Sequence, residues 1–186
     1  MSSQSLLSQT EEKMKKTVES HKKELATIRS GRASSTLLDK ILVNAYGSDM
    51  PLKQLGGISA PEPRLLVIQP FDKSTIPAIE KAILKSDLGL TPSVDGGLIR
   101  LPIPQLTEER RKDLVKIIKK KIEEGKVALR NLRREANDEL KEMEKKGEIS
   151  EDETKRLQEQ IQKMTDHHSK ELDIAFSAKE KEIMEV

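Results

Sequence analysis

The sequence predicts an α+β chain: a long antiparallel three-helix bundle into which a small β/α/β domain is inserted. Three observations carry this reading. The stretch 107–146 contains no proline and repeats apolar residues at steps of three and four. All eight prolines (Pro51, Pro61, Pro63, Pro70, Pro77, Pro92, Pro102 and Pro104) lie between Thr36 and Pro104, so the long helices fall outside that window. Two further helical stripes occupy the beginning and the end of the chain.

Taken in order, the first helix spans Leu7 to Ile28, with Leu7, Met14, Val18, His21, Leu25 and Ile28 on one face. His21 reads there as a core residue, because no partner stands at ligand spacing. Helix propensity then falls through Arg29-Ser30-Gly31-Arg32-Ala33-Ser34-Ser35, where Gly31 can break the helix. Leu37 to Tyr46 reads as a strand, Gly47-Ser48-Asp49 as a turn and Arg64 to Gln69 as a second strand. Gly56-Gly57 reads as another turn. Ser74 to Ser86 is a short amphipathic helix with Ile76, Ile79, Ile83 and Leu84 inward and Pro77 tolerated in its first turn. Asp87-Leu88-Gly89-Leu90 ends it. Short strands at Thr91–Val94 and Leu98–Leu101 flank the turn Asp95-Gly96-Gly97.

The central helix follows, with Thr107 at its N-cap and Glu108 and Glu109 where the helix dipole favours negative charge. Its seam is Leu114, Ile118, Ile122, Gly125, Leu129, Leu132, Ala136, Leu140 and Met143. At about 1.5 Å per residue such a helix is about 60 Å long, too long for one compact core. Gly147 is placed to end it. Ser150-Glu151-Asp152-Glu153 has the form of a capping box. Leu157, Ile161, Met164, His168, Leu172, Ala175 and Phe176 then carry a third stripe to about Met184. Antiparallel packing through the Gly147 turn makes a three-helix bundle the economical arrangement. His167-His168 with Glu171 superficially resembles a metal cluster. Adjacent helical residues point about 100° apart, however, so no metal site is expected.

The bundle is thus assigned to residues 1–30 and 105–186, and the inserted domain to 31–104. Two short crossings join them: Ser30, Gly31, Arg32, Ala33 and Ser34, and Pro102, Ile103, Pro104 and Gln105. The first bends at glycine and the second is stiffened by proline, an arrangement suited to a hinge.

Charge on the central helix is segregated. Lys112, Lys116, Lys119, Lys126, Arg130, Arg133, Asn137 and Lys141 share one band, interrupted by Glu123. Asp113, Glu124, Glu135, Asp138 and Glu142 fall on another sector. A solvated, salt-bridged face would interleave the signs, whereas a continuous basic ridge suits a polyanion lying lengthwise. Arg130, Arg133 and Arg134 add planar donors that match phosphate oxygens in pairs.

Composition narrows the class. The 186 residues are 35% charged, 34% hydrophobic and 2% aromatic, enough for one or two small aliphatic cores. With a net charge of only +2, nucleic-acid affinity must come from where charges stand. Without cysteine there are no disulfides, thiolate metal sites or cysteine nucleophile. No apolar run approaches a membrane span, and the opening residues carry acids and no signal-peptide core. The chain has no Walker A loop, dinucleotide fingerprint, nucleophile elbow or HExxH, so it reads as no enzyme and as needing no cofactor. On these grounds a polyanion-binding factor, a coiled-coil adaptor and a stand-alone RNA chaperone all remain open.

Four stretches carry a resemblance. They are Ile28-Arg29-Ser30-Gly31-Arg32-Ala33-Ser34, Ser86-Asp87-Leu88-Gly89-Leu90, Leu106-Thr107-Glu108-Glu109-Arg110-Arg111-Lys112-Asp113-Leu114 and Arg130-Asn131-Leu132-Arg133-Arg134-Glu135-Ala136-Asn137-Asp138. With the terminal Glu182-Ile183-Met184, they resemble the signature stretches of the ribosome recycling factor family across essentially the whole chain. The resemblance implies an L-shaped arrangement of the two domains. It implies binding to the post-termination ribosome and, with elongation factor G and its GTP hydrolysis, separation of the subunits. Arg133 and Arg130 match family positions that contact large-subunit ribosomal RNA. Lys119, Lys126, Arg134, Asn137 and Lys141 extend that expected surface. The implied partners are the ribosome and elongation factor G, with no membrane; a cytoplasmic monomer is expected, or a mature organellar form. Gln105 stands where the family commonly has the last proline of Pro-x-Pro-Pro, which bears on the stiffness of the second crossing.

Overall fold

The computed structural model describes residues 2–185. The chain divides into two compact units, one made of the residues through Ser30 together with those from Glu108 onward, the other of Gly31–Thr107.

The first unit is three helices, α1 (Ser3–Ala26), α3 (Glu108–Lys145) and α4 (Glu151–Met184), each packed on the other two. Ser2 caps α1, its Oγ accepting from Ser5 N–H at 3.0 Å. The helix begins earlier than Leu7, and it buries Leu6 and Thr10 as well as Leu7, Met14, Val18 and Leu25. His21 and Ile28 are only half-buried. In α3, Leu114, Ile118, Ile122, Gly125, Leu129, Ala136 and Leu140 are buried, with Leu132 and Met143 at the margin.

At the end of α3 two reverse bonds form: Gly147 N–H donates to Glu144 O at 2.9 Å and Glu148 N–H to Met143 O at 2.9 Å. With Gly147 at φ 73° this is a Schellman motif, and the left-handed residue is the reason a glycine stands there. Ile149 then dips into a core of Leu6, Leu7, Ala136, Leu140, Leu157 and Ile161. Ser150 caps α4 by accepting from Glu153 N–H at 3.1 Å, the forward half of a capping box; the Glu153 carboxylate lies 3.9 Å from Arg156. Thr10, Thr154 and Thr165 are buried on the seams, each hydroxyl donating to the carbonyl four residues back at 2.7–2.9 Å.

The second unit holds a four-stranded antiparallel sheet in the order β3 (Gly56–Glu62), β4 (Leu65–Pro70), β6 (Leu98–Pro102), β5 (Ser93–Asp95). A separate hairpin of β1 (Leu42–Ala45) and β2 (Ser48–Pro51) stands beside α2 (Ile76–Lys85). Their shared core includes Leu38, Val43, Leu52, Leu66, Ile68, Ile79, Ile83, Ile99 and Leu101.

The details depart from the sequence reading in four places. Ser35–Leu38 is a 3₁₀ turn, so the strand expected from Leu37 starts only at Leu42. The β1–β2 turn is the two residues Tyr46-Gly47, both at positive φ (53° and 79°), because such turns match strand twist; Ser48 and Asp49 belong to β2. Gly56-Gly57 is no turn but the start of β3. A Cβ on Gly56 would stand 2.6 Å from Gln69 O, so glycine is there for close strand approach. Leu84 is 62% exposed, and Ala78 and Ala82 pack on the core beside Ile79 and Ile83. Pro61 sits in β3 where its register with β4 shifts, on an edge strand that tolerates a missing donor.

Candidate nucleic-acid interface

The basic band of α3 follows from its periodicity: with the seam turned toward α1 and α4, the residues about 100° away face outward along the α4 side. Four of its cations are engaged. Lys112 Nζ lies 3.3 Å from Glu108, Lys126 Nζ is paired with Asp173 of α4, and Arg130 Nη2 lies 2.8 Å from Glu123. Arg133 Nη1 donates to Gln162 Oε1 of α4 at 3.2 Å, and Gln162 Nε2 donates to Asp166 Oδ1 at 2.8 Å.

Among the described residues, Lys116, Lys119, Arg134 and Lys141 are exposed and carry no ion pair. Asn137 is half-buried, with its Oδ1 shielded and unpartnered within the protein. The surface is therefore a mixed one. Lys116 and Lys119 on one side and Arg134 and Lys141 on the other flank the held group Lys126, Arg130 and Arg133, whose surface pairs are each worth on the order of 0–1 kcal/mol and open to exchange for a phosphate. Arg133 differs from Arg130 and Lys126 in being held by a neutral amide. Gln162, Asp166 and Asp173 are not legible as site residues in the sequence, because they lie on another helix and only the α3–α4 register brings them here.

The opposite flank of α3 is fastened to α1 by Lys121 and Glu24, 3.2 Å apart. On α4, His168 is buried and its Nε2 lies 2.9 Å from Glu11 Oε1, while His167 is exposed and 3.0 Å from Glu171. The two rings are edge-on at 5.3 Å.

The residues of the crossings occupy different settings. Ser30 Oγ donates to Glu182 Oε1 at 2.6 Å, and Glu182 also lies 3.4 Å from the buried Lys179. Gly31 has φ 80° and approaches Leu106, whose Cγ would be 3.0 Å from an added Cβ. Ala33 N–H donates to Pro63 O at 2.7 Å and Ile103 N–H to Arg64 O at 2.8 Å. Ser34 accepts from Thr36 N–H, opening the 3₁₀ turn. Pro102 is the last residue of β6 and pairs with Leu65, whereas Pro104 and Gln105 lie in no regular element. Ala33, Ser34, Pro102 and Ile103 are thus built into the second unit. Gly31, Arg32 and the residues from Pro104 to Thr107 fall within the same unit but outside its strands and helix.

No helix among the described residues is long and apolar enough to cross a membrane.

Comparison with known proteins bears on the family and the fold. The sequence pattern of the family described as "Ribosome recycling factor" matches residues 21–184. A ribosome-recycling factor of Heliobacterium modesticaldum is 61% identical over 178 residues, covering 96% of each chain. One of Bacillus subtilis is 56% identical over 184 residues, 99% of this chain and all of the relative. A solution structure of the ribosome recycling factor, 47% identical, superposes with TM-score 0.77 over all of this chain and 99% of the other. A second structure is 46% identical, with TM-score 0.66 and full coverage of both chains. It comes from models for the T. thermophilus ribosome recycling factor and the E. coli elongation factor G bound to the E. coli post-termination complex. The chain belongs to the ribosome recycling factor family.

Proposed function

We propose that this protein binds the post-termination ribosome through phosphates of large-subunit ribosomal RNA and, with elongation factor G and GTP, drives separation of the subunits. The observation that carries the reading is the basic ridge of α3, in which Lys119, Arg134 and Lys141 stand free and Lys126, Arg130 and Arg133 are held in surface pairs. Relatives with the same name over nearly the whole chain support it. On this reading the protein carries no catalysis of its own, the free energy coming from GTP hydrolysis by its partner, and it acts in the cytoplasm. The crossings at Ser30, Gly31, Arg32, Ala33 and Ser34 and at Pro102, Ile103, Pro104 and Gln105 form the hinge, its moving part centred on Gly31 and on Pro104-Gln105.

The decisive experiment is sedimentation of post-termination ribosomes with the protein, elongation factor G and GTP. Conversion to subunits is expected; a coiled-coil adaptor or an RNA chaperone would leave the ribosomes intact. Binding supplies the second measurement. Log affinity should fall with log salt by roughly 0.7–0.9 for each phosphate neutralised. Arg133→Ala should weaken ribosome binding and lower that slope by about one contact. Asp138→Ala, on the acidic sector, should leave the slope unchanged. An unchanged slope in Arg133→Ala would return the ridge to solvent.

A further inference from the structure

Arg130 and Arg133 lie one turn apart on the same ridge, yet they are held by different chemistry. Arg130 is paired with a carboxylate that neutralises it, and a phosphate has to displace Glu123 before taking its place. Arg133 gives one of its five N–H groups to the neutral Gln162 amide and keeps its full charge.

Which end of that amide faces Arg133 is fixed by Asp166. An ionised carboxylate only accepts, so Gln162 must turn its NH2 toward Asp166. Its carbonyl oxygen is then left pointing at the guanidinium. Reversed, the amide would put donor against donor at Arg133 and acceptor against acceptor at Asp166. Gln162 and Asp166 are themselves one turn apart on α4 and exposed.

We infer that Gln162, oriented by Asp166, is a positioning residue that holds the Arg133 guanidinium ready for a phosphate without neutralising it. The inference rests on the reading of the ridge as an RNA-binding surface and names what prepares it. An arginine on a solvent-facing helix samples many rotamers, and ordering it on binding weakens the complex. The Gln162 carbonyl does that ordering beforehand. Glutamine rather than glutamate is required, because a carboxylate at this position would compete with the phosphate as Glu123 does at Arg130.

The test measures binding to purified ribosomes across a salt series, with a thermal melt of each variant. Gln162→Ala should weaken binding roughly three- to tenfold, the effect of freeing one long side chain. It should leave the salt slope unchanged, since the number of neutralised phosphates is the same. Gln162→Glu should weaken binding and also lower the slope by about one contact, mimicking Arg133→Ala. Asp166→Ala, which removes the acceptor, should act like Gln162→Ala, and combining the two should add nothing beyond either alone. In the Arg133→Ala background, Gln162→Ala should have no further effect. If Arg133→Ala weakens binding and lowers the slope while Gln162→Ala matches the parent, the positioning role is overturned and the RNA contact stands. If Arg133→Ala leaves binding and slope untouched, the ridge reading falls and takes this inference with it. A Gln162→Ala defect that persists without Arg133 would assign Gln162 its own contact instead.

Discussion

Tyr46 is the single tyrosine of the chain, it is 68% exposed, and it stands at φ 53° beside Gly47. Its hydroxyl donates to Asp72 Oδ2 at 2.6 Å, while Asp72 Oδ1 accepts from Ser74 N–H at 2.9 Å. The bond to Asp72 raises the phenol above its ordinary value of 10.0, and the carboxylate charge acts in the same direction. The bonds from Tyr46 and Ser74 hold the carboxyl below its ordinary 3.8. The signs differ at the two ends. For Asp72, depressed in the folded state, the stabilisation is present above its unfolded value and fades as pH falls through the lowered one. For Tyr46, raised in the folded state, it is present below the unfolded value and fades as pH rises through the raised one. With one tyrosine, near-ultraviolet phenolate absorbance reports Tyr46 alone. Asp72→Asn should bring that titration down toward 10.0; an unshifted curve would mean the bond does not persist in solution. None of this is visible in the sequence, where Tyr46 reads as the end of a strand. Only the two-residue turn puts a tyrosine in a left-handed conformation and swings it toward Asp72.

Among the elements, legibility follows periodicity. A 3.6-residue repeat survives over α1, α3 and α4 because each buries one seam against two partners, so the seam from Leu114 to Met143 can be assigned from spacing alone. Strand β3 carries Gly56, Gly57 and Pro61, three residues that ordinarily signal a turn, and its strand character comes from pairing with β4. Leu84 reads as inward because α2 is short and its stripe is wide. The ridge is legible as charge on α3, but not its partners on α4, since contacts between helices depend on axial register. Gly125 shows what register demands. An added Cβ would meet Leu172 Cδ1 of α4 at 3.0 Å and the His21 ring of α1 at 3.1 Å, where all three helices converge. That ring is tethered, its Nδ1 being 2.8 Å from Thr17 O. Gly125→Ala should stay within about 1 kcal/mol of the parent, helix propensity offsetting the crowding. Gly125→Val should lose about 1–3 kcal/mol by overpacking. Urea midpoints followed by helical circular dichroism decide it. Equal midpoints for Ala and Val would mean that the helices simply move apart.

At the scale of the molecule, each unit has its own apolar core. The residues around Leu66, Ile68, Ile79 and Ile99 belong wholly to the second unit, and those around Leu6, Leu140 and Ile161 wholly to the first. Replacing residues 31–107 by a short glycine-serine linker should therefore leave a helical bundle with a cooperative thermal transition. On the proposed function, that bundle should bind ribosomes and fail to split them. A broad, non-cooperative melt would show that the bundle depends on the insertion.

The two backbone bonds that open and close the insertion, Ala33 N–H to Pro63 O and Ile103 N–H to Arg64 O, end on consecutive residues of one hairpin. The chain thus enters and leaves the second unit at nearly the same point, and this bears on the order of folding. α1 is made long before α3 and α4, and its apolar face has no partner until they emerge. Closing a loop the length of the insertion as random coil would carry an entropy cost that grows with the logarithm of its length. Once the insertion has closed its own core, its two ends stand side by side, and the long loop becomes a short one. The α3–α4 hairpin needs no such help, since Gly147 and Ser150 make it local. A folded insertion thus shortens the loop that has to close for α1 to reach that hairpin.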